Sequence, residues 1–340
     1  MKLTRTLTAL SMLAATSVSA DPYQTGLADL MVSDGAARQL EGFLWYPTLA
    51  EEGTREYHGN GVWTGITAAK DADMAEGSFP LIVLSHGMYG NARNQSWLAS
   101  AMAEQGYIVA AINHPGTSTW LRDPDDARQM WERPKDVSRV IDHLTADPMI
   151  ATQIDADQIY MGGHSLGGFT AALLAGARYD AEQINAICDA DPEDLVCGIF
   201  HGWQVAKTPE DVAMMEADLS DPRISKIALF DLGGTQTFSA ESIAAIDTNL
   251  LVIGAPKGDS DINLDIESRA FAAVMPNSAT YLEPASLSHF DFLGVCKPAA
   301  LDILKEEAPE DMFVCFDGTD ERKADHDLII DAVSAFFAKD

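Results

Sequence analysis

Short apolar runs recur along the middle of the chain, each followed by a turn and then by a helix-like stretch. Residues 80–84, 107–112 and 158–161 show little polar alternation, as strands buried on both faces require. Residues 94–105 read as a helix stopped by Gly106, and residues 136–144 and 170–177 as two more. The rhythm resumes with strands at 226–230 and 249–253, a helix at 266–275, a last strand at 279–282 and an amphipathic closing helix at 328–337. Strand, turn and helix in repetition predict an α/β fold, a mostly parallel central sheet with helices on both faces. Residues 180–222 break the rhythm with acidic, helix-like sequence, which predicts a small helical cap insertion over the carboxyl ends of the strands. Upstream, residues 39–46 partly alternate and stop at Pro47, so the N-terminal part reads as strands. Residues 50–79 are polar and glycine-rich and read as loop with a short edge strand. No linker interrupts residues 21–340, which predicts one domain.

Composition adds a compartment. Lys2 and Arg5, the apolar run from Leu7 to Thr16 and the small residues Ser17-Val-Ser-Ala20 form the pattern of an export signal over residues 1–20. That run is too short to span a membrane, and no later segment is long and charge-free enough. A mature protein starting at Asp21 would be periplasmic or secreted. The formal charge of −30 would repel nucleic acid and anionic membrane, so neither is an expected partner. Four cysteines in an exported chain point to disulfides. The local pairings, Cys188 with Cys197 and Cys296 with Cys315, each close a short loop. No Cys/His metal spacing is present.

The chemistry centres on Gly162-Gly-His-Ser-Leu-Gly-Gly168, between a buried strand and a helix. A G-x-S-x-G there is a nucleophile elbow, with Ser165 exposed on a tight turn. Gly163 and Gly167 supply the small neighbours it needs. A serine hydroxyl needs a base. His289, in Ser286-Leu-Ser-His-Phe-Asp-Phe-Leu293 after the last strand, is the candidate. His326 and His201 are poorer placed, and His164 and His86 read as loop-shaping contacts. Three aspartates could orient the imidazole: Asp259 first, then Asp231 at the end of the preceding strand, then Asp261. Asp259-Ser-Asp-Ile-Asn-Leu-Asp265 also resembles half a calcium loop. It lacks the glycine at position six (Leu264) and the glutamate at position twelve (Ala270), so no metal is expected. An oxyanion hole would use the amide of Leu166 and that of Met88, with Tyr89 as the alternate.

Several segments together resemble a known family. Leu44-Trp-Tyr-Pro47, Leu84-Ser-His-Gly87, Asn113-His-Pro-Gly116, Arg133-Pro-Lys-Asp136, the elbow and His289-Phe-Asp-Phe-Leu293 are similar to the predicted dienelactone hydrolases and the platelet-activating-factor acetylhydrolase-like esterases of the α/β-hydrolase superfamily. The resemblance implies an α/β-hydrolase fold, a serine or cysteine nucleophile, no cofactor, and small-molecule or lipid ester substrates. Authentic dienelactone hydrolases use cysteine and are cytosolic, whereas this chain has Ser165 and an export pattern. The usual short G-x-x-D turn is lengthened to Gly254-Ala-Pro-Lys-Gly-Asp259. The expectation is an exported serine carboxylesterase for short-chain, lipid acetyl, lactone or polyester-fragment esters. Trp120, Trp131 and the insertion are candidates for the acyl pocket. The rivals are acyl transfer with the same residues and a non-catalytic binding module.

Overall fold

The computed structural model describes residues 23–33, 38–258 and 260–338. The signal-like segment and Asp259 lie outside the described residues. Ten strands form the sheet: β1 (Gln24–Val32), β2 (Leu40–Thr48), β3 (Arg55–Tyr57), β4 (Ile66–Lys70), β5 (Phe79–Ser85), β6 (Ile108–Ile112), β7 (Ile154–His164), β8 (Ile224–Phe230), β9 (Asn249–Ile253) and β10 (Thr280–Leu282). Their order is β10-β9-β8-β7-β5-β6-β2-β1-β4-β3. From β10 to β6 every neighbouring pair is parallel, and β2 turns the sheet antiparallel by pairing with β6.

The apolar runs lack polar alternation because both faces of the sheet are covered. On β5, Leu81 and Val83 point into one cluster with Val137, Val140 and Ile141 of the helix Glu132–Ala146. Ile82 and Leu84 point into the other, with Leu98 and Met102 of the helix Ser96–Glu104 and Ile329 and Val333 of the helix Thr319–Phe337. Each fully buried side chain of this kind contributes about 1.5–3 kcal/mol.

Local departures from the sequence expectation have physical causes. The polar stretch 50–79 carries two short strands, β3 and β4, on the far edge of the sheet. β2 runs through Pro47 to Thr48, because the antiparallel pairing with β1 continues to Gln24. The helix expected from residue 136 begins at Glu132. Pro134 fits its first turn, where no intrahelical partner is lost. That early start buries Arg133. The insertion holds three helices, Ala181–Ala190, Leu195–Trp203 and Pro209–Met215, between β7 with its following helix and β8. Among the described residues, no helix is long and apolar enough to cross a membrane.

Candidate active site

Ser165 joins β7 directly to the helix Leu166–Ala175 and sits at φ +56°, ψ −117°. This conformation is costly for a residue with a Cβ and persists only where the surroundings over-determine it. They do. A Cβ on Gly163 would lie 2.0 Å from the Gly167 carbonyl oxygen, and one on Gly167 would lie 2.0 Å from that of Ser85. The turn closes only with glycine at both places, and it leaves Ser165 half-buried at the floor of a cleft of about 880 Å³.

His289 lies on the same floor, in a short 3-10 turn, His289–Phe292, after β10. Its Nδ1 is 2.6 Å from Oδ2 of Asp231, whose side chain is 1% exposed. The other oxygen of Asp231 accepts the Ala255 N–H at 3.0 Å. Asp231 follows β8 immediately, at φ +40°. Of the three aspartates weighed from the sequence, Asp231 meets the imidazole, and the first-ranked Asp259 lies outside the described residues. The loop after β9 delivers a backbone N–H to the Asp231 carboxylate. Asp261 is exposed at the cleft wall.

The other histidines have separate tasks. Nε2–H of His164 donates to the His289 carbonyl at 2.8 Å, with the two rings 4.6 Å apart. Burial pushes the His164 imidazole well below its usual range, with His289 adding to the effect, so it braces as a neutral ring. Nε2–H of His326 is 2.9 Å from the carbonyls of Asp291 and Leu293. His201 is exposed on the insertion.

Met88 and Leu166 both line the cleft. The Tyr89 amide, the alternate oxyanion donor, is bonded to the Thr117 carbonyl at 2.8 Å. The walls are short elements at the carboxyl ends of the strands. Val196, Ile199 and Phe200 of the inserted helix Leu195–Trp203 form one side, and Phe313 and Val314 another. Each of these two walls is stapled: Cys188 is joined to Cys197 and Cys296 to Cys315. Trp120 lines the cleft, but Trp131 packs in the core instead, because the early start of its helix turns it inward. In the Asp-rich segment, the Asn263 side chain accepts the Asp265 N–H and Asp265 pairs with Arg269. Among the described residues no group of three or more acidic, His or Cys side chains could hold a metal ion.

A second Ser-His-Asp chain lies behind the floor. Nδ1 of His114 is 3.0 Å from Asp136 Oδ2, and its Nε2 is 2.9 Å from Ser85 Oγ. All three residues are 0% exposed. Arg38 donates to both oxygens of Asp136, at 2.8 and 2.9 Å. Arg133, 1% exposed, donates to Thr170 Oγ1 at 2.9 Å, Ser85 Oγ at 3.2 Å and the His86 carbonyl at 2.6 Å. Burial pulls the Arg133 guanidinium down to about 9, still a cation at neutral pH. It also holds His114 and His86 well below the usual histidine range, Arg133 adding to the effect in both, so both are neutral.

The serine aminopeptidase S33 family (Hydrolase_4) matches residues 78–190, from β5 to the first inserted helix. A bis(hydroxyethyl) terephthalate hydrolase of Streptomyces coelicolor is 29% identical over 159 residues, 47% of this chain and 46% of that protein. The cutinase est1 of Thermobifida alba is 30% identical over 105 residues, 30% of this chain and 32% of that one. The matches thus span less than half the length of these curated relatives. A ferulic acid esterase from Streptomyces cinnamoneus superposes with a TM-score of 0.61 at 18% identity, over 95% of this chain and 91% of its own. The chain has the α/β-hydrolase fold, and the family match and these relatives support the α/β-hydrolase superfamily. Within that fold, β7 leads directly into the strained turn at Ser165, and the cleft lies at the carboxyl ends of the parallel strands, where such sheets bind ligands.

Proposed function

We propose that this protein is an exported serine hydrolase that cleaves carboxylic esters through an acyl-enzyme. The observation that carries it is the pairing of the strained Ser165 with an imidazole, His289, that shares its cleft floor and is backed at 2.6 Å by buried Asp231. Asp231 fixes Nδ1–H on the ring, which leaves Nε2 as the base. Ser165 Oγ attacks the ester carbonyl carbon while its proton passes to His289 Nε2. The oxyanion is held by the N–H groups of Leu166 and Met88. As the intermediate collapses, the alcohol leaves with the proton from His289. Water then attacks the acyl carbon and gives a proton to His289. Ser165 departs with that proton and the acid is freed.

The names of the relatives, a terephthalate ester hydrolase and a cutinase, support ester rather than peptide substrates. The dienelactone hydrolase and acetylhydrolase-like motifs extend the candidates to lactones and lipid acetyl esters. The three inserted helices act as the cap that sets acyl size. Two disulfides fit an oxidising compartment, periplasmic or extracellular. A graded panel of p-nitrophenyl esters and lactones, with fluorophosphonate labelling of wild type and Ser165→Ala, tests this. The expected result is hydrolysis and one covalent adduct, both lost in the variant. Folded wild type that neither labels nor hydrolyses any member overturns it.

A further inference from the structure

The sealed Ser-His-Asp chain ends at the peptide whose N–H was assigned to the oxyanion, and its proton directions can be worked out. The Asp136 carboxylate only accepts, so His114 donates from Nδ1. Its Nε2 therefore accepts from Ser85 O–H, while Arg133 donates to the same hydroxyl. The backbone N–H of His114 donates to Nε2 of His86 at 3.1 Å. The proton of neutral His86 is then on Nδ1, which donates to the Gly87 carbonyl at 2.7 Å. Gly90 N–H reaches the same oxygen at 3.1 Å. In a trans peptide C=O and N–H point in opposite directions. Fixing the Gly87 carbonyl from behind therefore aims the Met88 N–H away from His86. The loop also runs close past the nucleophile, since a Cβ on Gly87 would lie 3.2 Å from that of Ser165.

We propose that His86 is a positioning residue for catalysis: held by the His114 backbone, it anchors the Gly87 carbonyl so that the Met88 N–H is pre-aimed at the developing oxyanion. Arg133 holds the preceding peptide through the His86 carbonyl, and the Asp136–His114–Ser85 chain keeps the supporting strand ends in register. Donation to the Gly87 carbonyl also polarises that peptide and strengthens its N–H as a donor. The inference rests on the ester-hydrolase reading and deepens it.

Two replacements separate position from polarity. In His86→Asn the amide nitrogen stands close to where Nδ1 was, whereas in His86→Gln it stands close to Nε2. The expected result is that His86→Gln lowers kcat about 100-fold, the scale of losing one oxyanion donor, with KM nearly unchanged. Its affinity for a trifluoromethyl ketone falls in parallel, while affinity for the product carboxylate does not. His86→Asn recovers most of both. Equal activity and equal ketone affinity in Gln and wild type overturn the assignment. A measurement on wild type needs no variant to fold: nitrogen-15 NMR should show His86 protonated on Nδ1, and an Nε2–H tautomer overturns the proposal. Wild type that hydrolyses no ester and takes no fluorophosphonate sinks the ester-hydrolase reading itself. An active wild type with an indifferent His86→Gln sinks only the role of His86.

Discussion

The described residues hold two buried His-Asp pairs, one sharing a cleft with a serine and the other within hydrogen-bond distance of one. In one, His289 meets Asp231 at 2.6 Å and shares a cleft with Ser165. In the other, His114 lies 3.0 Å from Asp136 and 2.9 Å from Ser85. Backbone and access separate them. Ser165 is at φ +56° on a turn that lifts it out of the sheet, whereas Ser85 ends the regular strand β5 and is fully buried. The hydroxyl of Ser85 is occupied twice, as donor to His114 and acceptor from Arg133, so it has no freedom to attack. The same residue types would serve as chemistry where the serine faces an open cleft, and as a brace where its hydroxyl is sealed between a histidine and an arginine.

The largest contrast is between the two serines. Ser165→Ala should lower kcat about 10⁴–10⁶-fold, as for loss of a triad nucleophile. Ser85→Ala should stay within about tenfold of wild type, because both bonds of His86 survive it. It should instead cost about 1–3 kcal/mol of stability, since a buried acceptor and a buried guanidinium lose a partner. Kinetics beside denaturant unfolding of each variant checks this. A Ser85→Ala enzyme as dead as Ser165→Ala would erase the distinction.

The acids come next. Asp231→Asn should reduce kcat about 10³–10⁴-fold by favouring the wrong imidazole tautomer. Asp261→Asn, at an exposed carboxylate, should stay within about threefold, and so should Asp259→Asn if Asp231 alone orients His289. Steady-state kinetics on the three variants is sufficient. If Asp259→Asn alone kills activity, the hydrogen bond to Asp231 is structural and the acid assignment moves.

How far this was legible beforehand differs between the two pairs. The strained turn was legible in part, because the contact of Gly163 with Gly167 is local and the apolar runs mark the strands around it, whereas the contact of Gly167 with Ser85 comes from β5. The acid was not. The ends of β8 and β9 are adjacent in space, and either could reach the base; the choice depends on Ala255 N–H docking onto Asp231, which no local pattern encodes. The sealed chain was half visible. Leu84-Ser-His-Gly87, Asn113-His-Pro-Gly116 and Arg133-Pro-Lys-Asp136 stood out as motifs without an assigned role. Their polar residues meet only because β5 and β6 are neighbours and the helix Glu132–Ala146 starts one turn early. Trp131 shows the same limit. Its aromatic character suggested a pocket, and the helix start placed it in the core.

The buried acid provides the next test. Asp136→Asn leaves Arg38 beside a neutral amide and removes the carboxylate that His114 faces. Losing one partner of a buried pair costs about 3–5 kcal/mol. Burial holds the Asp136 carboxyl above its ordinary range in spite of Arg38, so the low end of that scale is expected. Thermal and urea unfolding measure the loss. The corresponding change at the open site, Asp231→Asn, should cost less stability than activity. The comparison breaks if the two aspartates prove interchangeable in this respect.

The smallest effect is in the pH dependence, and its sign follows from burial. His86, His114 and His164 are all held well below 6.5 in the folded protein. Below about pH 6 the unfolded chain binds protons that the folded chain refuses, so stability falls as pH falls. Each such histidine contributes a slope of about 1.4 kcal/mol per pH unit. Glu267, pushed up to about 7 by burial, acts in the opposite sense, because its stabilising protonated form is lost as pH rises through that value. Against this background, His114→Asn should flatten the slope of unfolding free energy between pH 6 and 5 by about one histidine's share, about 1.4 kcal/mol per unit. Equal slopes for wild type and variant would mean that His114 takes up its proton while folded. A protonated His114 could not accept from Ser85, and the fixed proton order of the sealed chain, with the tautomer it assigns to His86, would have to be redrawn.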